Sequence, residues 1–273
     1  MNWYSNKASK GSARLAGMRL TGKRALVIGG GGAGIGRAVT NAFGVEGAAV
    51  MVADLDAARA EDAVADLRQH GATAYPVSGD VRSRDDVEAM VAAAVDQLGG
   101  LDVLVTVVGG QVAFVPQVKL HEMTDEDWDT IYEVNLRYVM RAVRAALRVF
   151  LDQGGGGTVV SVGSVTGFMA APQQAAYGVM KAGLLSLART VSSEYAADGI
   201  RMNVAAAGAI ATAVANANTD ADGEWIDEIP LGRRGRSEEV AEAVVYLASD
   251  ASAYLTGQQI VLDGGVSTRG PFG

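Results

Sequence analysis

The sequence predicts an α/β fold, a doubly wound parallel sheet of about seven strands with helices on both faces. Short apolar β-type runs alternate with amphipathic helical patterns along the whole chain. The first such run enters a glycine cluster that opens directly into the first helical pattern. At 273 residues, 49% of them apolar, the chain can bury one substantial core without splitting. No internal repeat or linker stands out, so residues 1–20 are read as a flexible or surface-wrapped lead and 21–273 as one domain.

The elements follow in order. Strands are expected near 25–29, 49–53, 73–77, 102–107, 157–162, 200–205 and 258–262. Helices are expected near 34–46, 56–70, 84–98, 125–150, 174–198 and 237–249. Thr124-x-x-Asp127 and Ser237-Glu238-Glu239 give helix starts with acidic first turns. The run Gly154 to Gly157 is a turn between the fourth helix and the fifth strand. Asn135 falls inside the long fourth helix, where Asn is a mediocre helix former.

The glycine cluster has the context of a nucleotide-phosphate site. Residues 24–36 read Arg-Ala-Leu-Val-Ile-Gly-Gly-Gly-Gly-Ala-Gly-Ile-Gly. Glycines let the backbone turn tightly and approach a pyrophosphate, and the following helix N-terminus offers free N–H groups to the anion. Two frames fit: Gly29, Gly31 and Gly34 as G-x-G-x-x-G, or Gly30, Gly34 and Gly36 as G-x-x-x-G-x-G. The second apolar run ends at Asp54, 20 residues beyond Gly34. A carboxylate there accepts hydrogen bonds from the ribose hydroxyls and repels a 2′-phosphate, while Ala33 and Leu55 supply no cation for one. That favours NAD over NADP. The competing reading of Asp54 is an exposed cap on the next helix.

The richest signal is Ser164, with Tyr177 thirteen positions later and Lys181 four beyond that. Four residues apart on a helix, Tyr177 and Lys181 share one face. A free tyrosine has a pKa of about 10, and a nearby ammonium favours its phenolate. Ser164, from a strand end, can hydrogen-bond the same substrate oxygen.

With these residues in place the chain resembles the short-chain dehydrogenase/reductase family, in its single-domain branch, from about residue 21 to 265. The family's T-G-x-x-x-G-I-G turn matches Gly29 to Gly36, with Gly in place of Thr, and selects the second frame, placing Gly30, Gly34, Ile35 and Gly36 at the cofactor. Its adenine-side Asp-Val matches Asp80 and Val81. Its tetrad falls on Asn135, Ser164, Tyr177 and Lys181, and its R-x-N…P-G-x-I-x-T segment on Arg201, Asn203, Gly208, Ile210 and Thr212. Pro230 to Arg233, Gly257-Gln258 and Leu262 to Gly265 are also similar to family segments. The resemblance implies a Rossmann-like fold, an NAD-dependent alcohol–ketone oxidoreductase, and a homotetramer. In it Tyr177 is the general acid/base, and Lys181 lowers the Tyr177 pKa and holds the nicotinamide ribose. Ser164 orients the substrate, and Ile210 and Thr212 contact the carboxamide. A helix distortion at Asn135 holds a water that contacts Lys181.

Three departures are visible. Thr106-Val107-Val108-Gly109 stands where the family shows N-N-A-G, so the Asn that braces the sheet is absent and Gly109 alone carries over. Ala207 replaces the usual Pro before Gly208. Met180 sits where Ser precedes the Lys.

Composition excludes other chemistries. Without cysteine there is no disulfide, thiolate nucleophile or Cys-based metal site, which suits a cytoplasmic protein. His70 and His121 are the only histidines, so no metal site is expected. Ser164 lacks a G-x-S-x-G elbow, against a hydrolase. The uncharged stretch 153–180 is broken by Gly, Ser, Gln and Pro172, unlike a membrane span. Six cations (Lys7, Lys10, Arg14, Arg19, Lys23, Arg24) and no acid lie in residues 1–24, leaving −14 on the rest of a chain whose net charge is −8. An acidic body argues against nucleic acid. The lead lacks the apolar core of a secretory signal.

The expected substrate walls, 109–118, 165–174 and 209–229, supply Val112, Phe114, Val115, Phe168, Met169, Val214, Trp225 and Ile226, with no cationic clamp. That suits an apolar or alicyclic small molecule, steroid- or terpenoid-like, although some of these residues can instead pack the core. Reduction of a 3-oxoacyl thioester is the alternative chemistry. A catalytically silent dinucleotide-binding scaffold is the alternative of another class.

Overall fold

The apolar runs become parallel strands because each is bounded by turn residues and is long enough to cross one sheet. The computed structural model describes residues 18–213 and 224–269. The strands are β1 (Arg24–Ile28), β2 (Ala49–Asp54), β3 (Ala74–Ser78), β4 (Val103–Thr106), β5 (Gly157–Ser164), β6 (Ile200–Ala207), β7 (Ile210–Ala211), β8 (Gly235–Arg236) and β9 (Gln259–Leu262). The helices are α1 (Ile35–Val45), α2 (Ala57–Gln69), α3 (Arg84–Leu98), α4 (Asp125–Tyr132), α5 (Tyr138–Gln153), α6 (Ala175–Tyr195) and α7 (Ser237–Ala248).

Seven strands form one sheet in the order β3-β2-β1-β4-β5-β6-β9, and every neighbouring pair is parallel. The chain runs outward from β1 through β2 to β3, then returns to β4 on the other side of β1. That reversal opens a crevice beyond the carboxyl ends of β1 and β4. The short β7 and β8, which apolar periodicity does not announce, pair with each other outside this sheet. One apolar layer packs α1, α2 and α7 against the sheet through Val39, Phe43, Leu67 and Val244. The other packs α3, α5 and α6 through Met90, Tyr138, Phe150 and Leu184. The strands are therefore covered on both faces, which is why they read as continuous apolar runs.

Local chemistry sets the ends. Ser83 caps α3 by accepting from the Asp86 N–H, Asp85 and Asp86 fill its first turn, and left-handed Gly99 ends it. Thr124 caps α4 in the same way, accepting from the Asp127 N–H. The one expected helix that does not form as a single piece is 125–150. It divides at a π-helical turn, Glu133–Arg137, with Asn135 at its centre.

At the entrance to the sheet, the N–H groups of Met18 and Arg19 donate to Glu46 Oε2 at 2.7 and 2.6 Å, and Leu20 is fully buried. Residues 18–20 of the predicted lead are thus tied to the body, while Lys7, Lys10 and Arg14 lie outside the described residues.

Thr106 supplies a brace where the Asn is missing. Its Oγ1 donates to Ser161 Oγ at 2.9 Å, linking β4 to β5 in a buried setting. Tyr138, 1% exposed, adds a second tie by donating to the Val108 carbonyl at 2.7 Å. Thr106→Val keeps the volume but leaves the Ser161 hydroxyl without its donor. It should cost about 1 kcal/mol or somewhat more, read as a lower urea midpoint at unchanged slope.

Candidate active site

The glycine turn is shaped by close approach. A side chain on Gly36 would overlap the carbonyl of Gly29, and one on Gly31 would meet the Arg59 backbone at 2.8 Å. Both glycine frames therefore contain positions that packing demands. Gly34 precedes α1 with no side-chain cap, and the first turn of α1 carries no acid. The free N–H groups of α1 are open to an anion, as a pyrophosphate requires. Thr212 stands across from Gly34, its Cγ2 within 3.5 Å of where a Gly34 Cβ would lie.

Beyond β1 and β2 lies a cleft of about 330 Å³. Its walls include Asp54, Arg59, Asp80, Val81, Arg82 and Phe114. Asp54 Oδ2 accepts from the Gly31 N–H at 3.1 Å and Oδ1 from the Asp56 N–H at 3.2 Å. It does not cap α2; Asp56 does, accepting from the N–H groups of Ala58 and Arg59. The Asp80 carboxylate is gripped by both arms of Arg82, at 2.6 to 3.1 Å, and that guanidinium holds it below the usual carboxylate range. These residues fit the adenosine end of a dinucleotide: anion donors at α1, an acceptor beside the ribose position, and a half-apolar slot.

On the other side of the switch point, the four remaining candidates converge. Asn135 is fully buried, not on a wet helix face. Its Nδ2 donates to the carbonyls of Gly110 and Ile131 at 2.9 and 3.0 Å, and its Oδ1 accepts from the Gly110 N–H at 2.9 Å. A Cβ on Gly109, at φ 155°, would lie 2.5 Å from Asn135 Oδ1 and 3.0 Å from Lys181 Nζ. Only glycine lets the chain after β4 pass between those two groups. Lys181, 5% exposed, donates to the Val162 carbonyl at 3.0 Å, and its Nζ sits 5.5 Å from the centre of the Tyr177 ring. Ser164, at the end of β5, accepts from the Thr166 N–H and Oγ1 at 3.2 and 3.0 Å.

The electrostatics differ from the expectation that Lys181 draws the phenol down. Burial raises the Tyr177 phenol above its ordinary value, and the Ser164 hydroxyl beside it works the other way. Burial also depresses Lys181, to about 8. The same dry surroundings that disfavour a phenolate also disfavour the ammonium that was to stabilise it.

Gly208 is needed for packing, since a Cβ there would meet Asp263 Cα at 2.7 Å, and Ile210 is 8% exposed in β7. Of the expected substrate walls, Val112, Phe114 and Phe168 are exposed by 41%, 44% and 45%. Val115 instead packs with Ile131, Ala176 and Met180 in a small core beneath them. Val214 and the Trp225 side chain lie outside the described residues. Sequence reasoning missed Thr166, which orients Ser164, and Arg59 and Arg82, which line the cleft. The only prior signal for these was proximity in sequence to Ser164, Asp54 and Asp80.

Residues 30–267 match the family model described as enoyl-(acyl carrier protein) reductase. A 3-oxoacyl-[acyl-carrier-protein] reductase of Thermotoga maritima is 35% identical over 250 residues, 91% of this chain and 99% of that one. The cis-4-hydroxycyclohexanecarboxylate dehydrogenase of Sinomonas cyclohexanicum is 36% identical, over 89% and 96%. The solved structure of a 7α-hydroxysteroid dehydrogenase, complexed with NADH and 7-oxo glycochenodeoxycholic acid, superposes with a TM-score of 0.85 at 27% identity, over 91% and 95% of the two chains. The chain belongs to the short-chain dehydrogenase/reductase family. It is therefore an oxidoreductase of a family that uses nicotinamide dinucleotides. Among the described residues no helix is long and apolar enough to cross a membrane, and no cluster of acids and histidines could hold a metal.

A short-chain dehydrogenase/reductase that buries its lysine carries a stability cost. With its folded pKa near 8, against 10.5 unfolded, Lys181 binds its proton less well in the native state. The cost, about 3 kcal/mol, is full below pH 8 and fades as pH rises towards 10.5, because the unfolded state holds more protons in that window. Lys181→Met should match or exceed the wild type in urea stability at pH 7. The gap should close between pH 8 and 10.5, while activity is lost.

Proposed function

We propose that the chain is an NAD-dependent oxidoreductase that interconverts a secondary alcohol and a ketone on an apolar or alicyclic, steroid- or terpenoid-like substrate. The observation that carries the reading is the convergence of Asn135, Ser164, Tyr177 and Lys181 around Gly109, beside the glycine turn. In reduction Tyr177 gives its phenol proton to the carbonyl oxygen; in oxidation the phenolate takes the hydroxyl proton. Ser164 accepts two hydrogen bonds from Thr166, and its O–H, hydrogen-bonded with the Tyr177 phenol, would turn to donate to the substrate oxygen. Lys181 adds positive field at the ring and a donor at the inner wall. Asn135 fixes the Gly109–Gly110 wall from both sides. A nicotinamide bound beside them supplies or accepts the hydride.

Gly30, Gly34, Ile35 and Gly36 would hold the pyrophosphate, Asp54 the adenosine ribose, and Asp80 and Val81 the adenine side. Gly109, Tyr177, Lys181, Gly208, Ile210 and Thr212 would surround the nicotinamide end. The reading extends to a homotetramer in the cytoplasm. Exposed Met140 and Val179 on α5 and α6, and Val261 on β9, give apolar surface for subunit contacts, and the sequence has no cysteine. Exposed Val112, Phe114 and Phe168 support an apolar substrate, as do relatives named for a cyclohexane acid and a 3β-hydroxysteroid.

A second reading, reduction of a 3-oxoacyl thioester, is favoured by the Thermotoga relative. A panel of cyclic secondary alcohols and one 3-oxoacyl thioester, each with NAD(H) and NADP(H), separates the two by absorbance of the reduced cofactor. Turnover of alcohols with NAD supports the first, and thioester reduction with NADPH the second. Tyr177→Phe should lower kcat by about 10³-fold while the NAD dissociation constant stays within about twofold, since the lost hydroxyl serves the reacting oxygen alone. Asp54→Asn should weaken NAD at least tenfold relative to NADP, by removing the charged ribose acceptor and the repulsion of a 2′-phosphate at once.

A further inference from the structure

Gln111 lies two residues past Gly109, and no step above uses it, yet it is 3% exposed. Its Nε2 donates to the Gln173 carbonyl at 2.7 Å and lies 3.4 Å from the Pro116 carbonyl. Only the nitrogen of an amide can face two carbonyls, so the side chain has one orientation, and its Oε1 stays buried without a hydrogen bond. Gln173 has φ 65°, a left-handed backbone that a residue with a side chain holds only under restraint. It immediately precedes Gln174, the N-cap of α6, which makes no side-chain cap of its own. Tyr177 follows in the first turn. An orphaned acceptor and a strained backbone, joined by one hydrogen bond at the rim of the site, mark a place kept for geometry and not for stability.

We propose that Gln111 is a positioning residue that fastens the start of α6 to the loop after β4 and so sets where the Tyr177 phenol stands relative to Ser164. The inference rests on the reading of Tyr177 as the proton-transferring group. A continuous chain supports it: Asn135 grips Gly110 from both sides, Gly110 leads into Gln111, and Gln111 holds Gln173. Val115, whose N–H donates to the Gln111 carbonyl at 3.0 Å, packs into the cluster with Ala176 and Met180 on α6. Two walls of the substrate mouth are thereby coupled to the helix that carries the phenol.

The test compares Gln111→Leu with the wild type, alone and in a Gln173→Gly background. Kinetics are joined by amide hydrogen exchange over residues 174–181. Gln111→Leu should lower kcat by about 10-fold to 100-fold, leave the NAD dissociation constant within about twofold, and speed exchange in the first turns of α6. With glycine at 173 the backbone needs no restraint, so the same substitution should cost less than about threefold. Gln111→Glu, a donor only when protonated, should regain activity relative to Gln111→Leu as pH falls, and it serves if the leucine variant does not fold. An equal loss in both backgrounds, unchanged exchange at α6, or a fall in thermal midpoint with kcat intact overturns the proposal. Failure of the wild type to turn over any substrate sinks the proton-transfer reading instead, and the exchange measurement still decides whether Gln111 clamps α6.

Discussion

A single ammonium, Lys181, placed almost without water at the carboxyl end of a parallel sheet, is the constraint around which this molecule is arranged. Its hydrogen bond to the Val162 carbonyl fixes α6 against β5. With Asn135 it crowds Gly109, three residues past β4, where a Cβ would lie 3.0 Å from Nζ and 2.5 Å from Asn135 Oδ1. Burial of a charge is tolerated only with partners, and here the hydrogen-bond partner is a carbonyl, not a carboxylate. The lysine therefore titrates low, at about 8, and keeps its proton weakly at neutral pH. No stability argument calls for this arrangement. The proposed proton-transfer role does, because a group poised near the working pH can gain and lose charge with little driving force.

Tyr177 is subject to the same surroundings with the opposite sign. Burial pushes the phenol up and the lysine down to about 8, so the two ionisations move apart and the phenol keeps its proton beyond the pH at which the lysine loses its own. Ser164 leans the other way, through its hydrogen bond with the phenol, while Thr166 donates to its oxygen twice. The site thus favours the protonated phenol, the form that in the proposed mechanism delivers a proton to a carbonyl oxygen. Oxidation needs the phenolate, and so a further positive charge close to the ring. This ties the direction of easy chemistry to what is bound beside Tyr177 and not to Lys181 alone.

Much of this was legible in the sequence because the relevant spacings are local. Tyr177 and Lys181 share a helix face by count alone, and each apolar run between turn residues became a strand within a residue or two. Asn135 was legible as an anomaly but not as a form. A π turn depends on how α4 and α5 both pack, and periodicity extends straight across it. The sequence places Val115 on a pocket wall because an apolar residue in a loop carries no sign of which way it faces; its burial is decided by Ile131 and Met180, far along the chain. Thr106 was visible only as a missing Asn. That it bonds Ser161 required the β4–β5 register, which no single-sequence pattern encodes.

The choice of cofactor turns on a similar non-local fact, and the structure sharpens the contest. Asp54 is not alone at the ribose end of the cleft, because α2 brings Arg59 to the same wall. A cation there could serve a 2′-phosphate and so weaken the argument from Asp54. The two groups are not equally placed. Asp54 is half-buried and held at both oxygens by the N–H groups of Gly31 and Asp56. The Arg59 side chain is 64% exposed, and its contact with Asp56 is long, 3.5 Å. A solvated guanidinium on a flexible stem gains about 1 kcal/mol or less from such pairing, whereas a fixed carboxylate facing a phosphate repels it without having to move. The fixed charge outweighs the mobile one, and this supports the NAD preference proposed for the site.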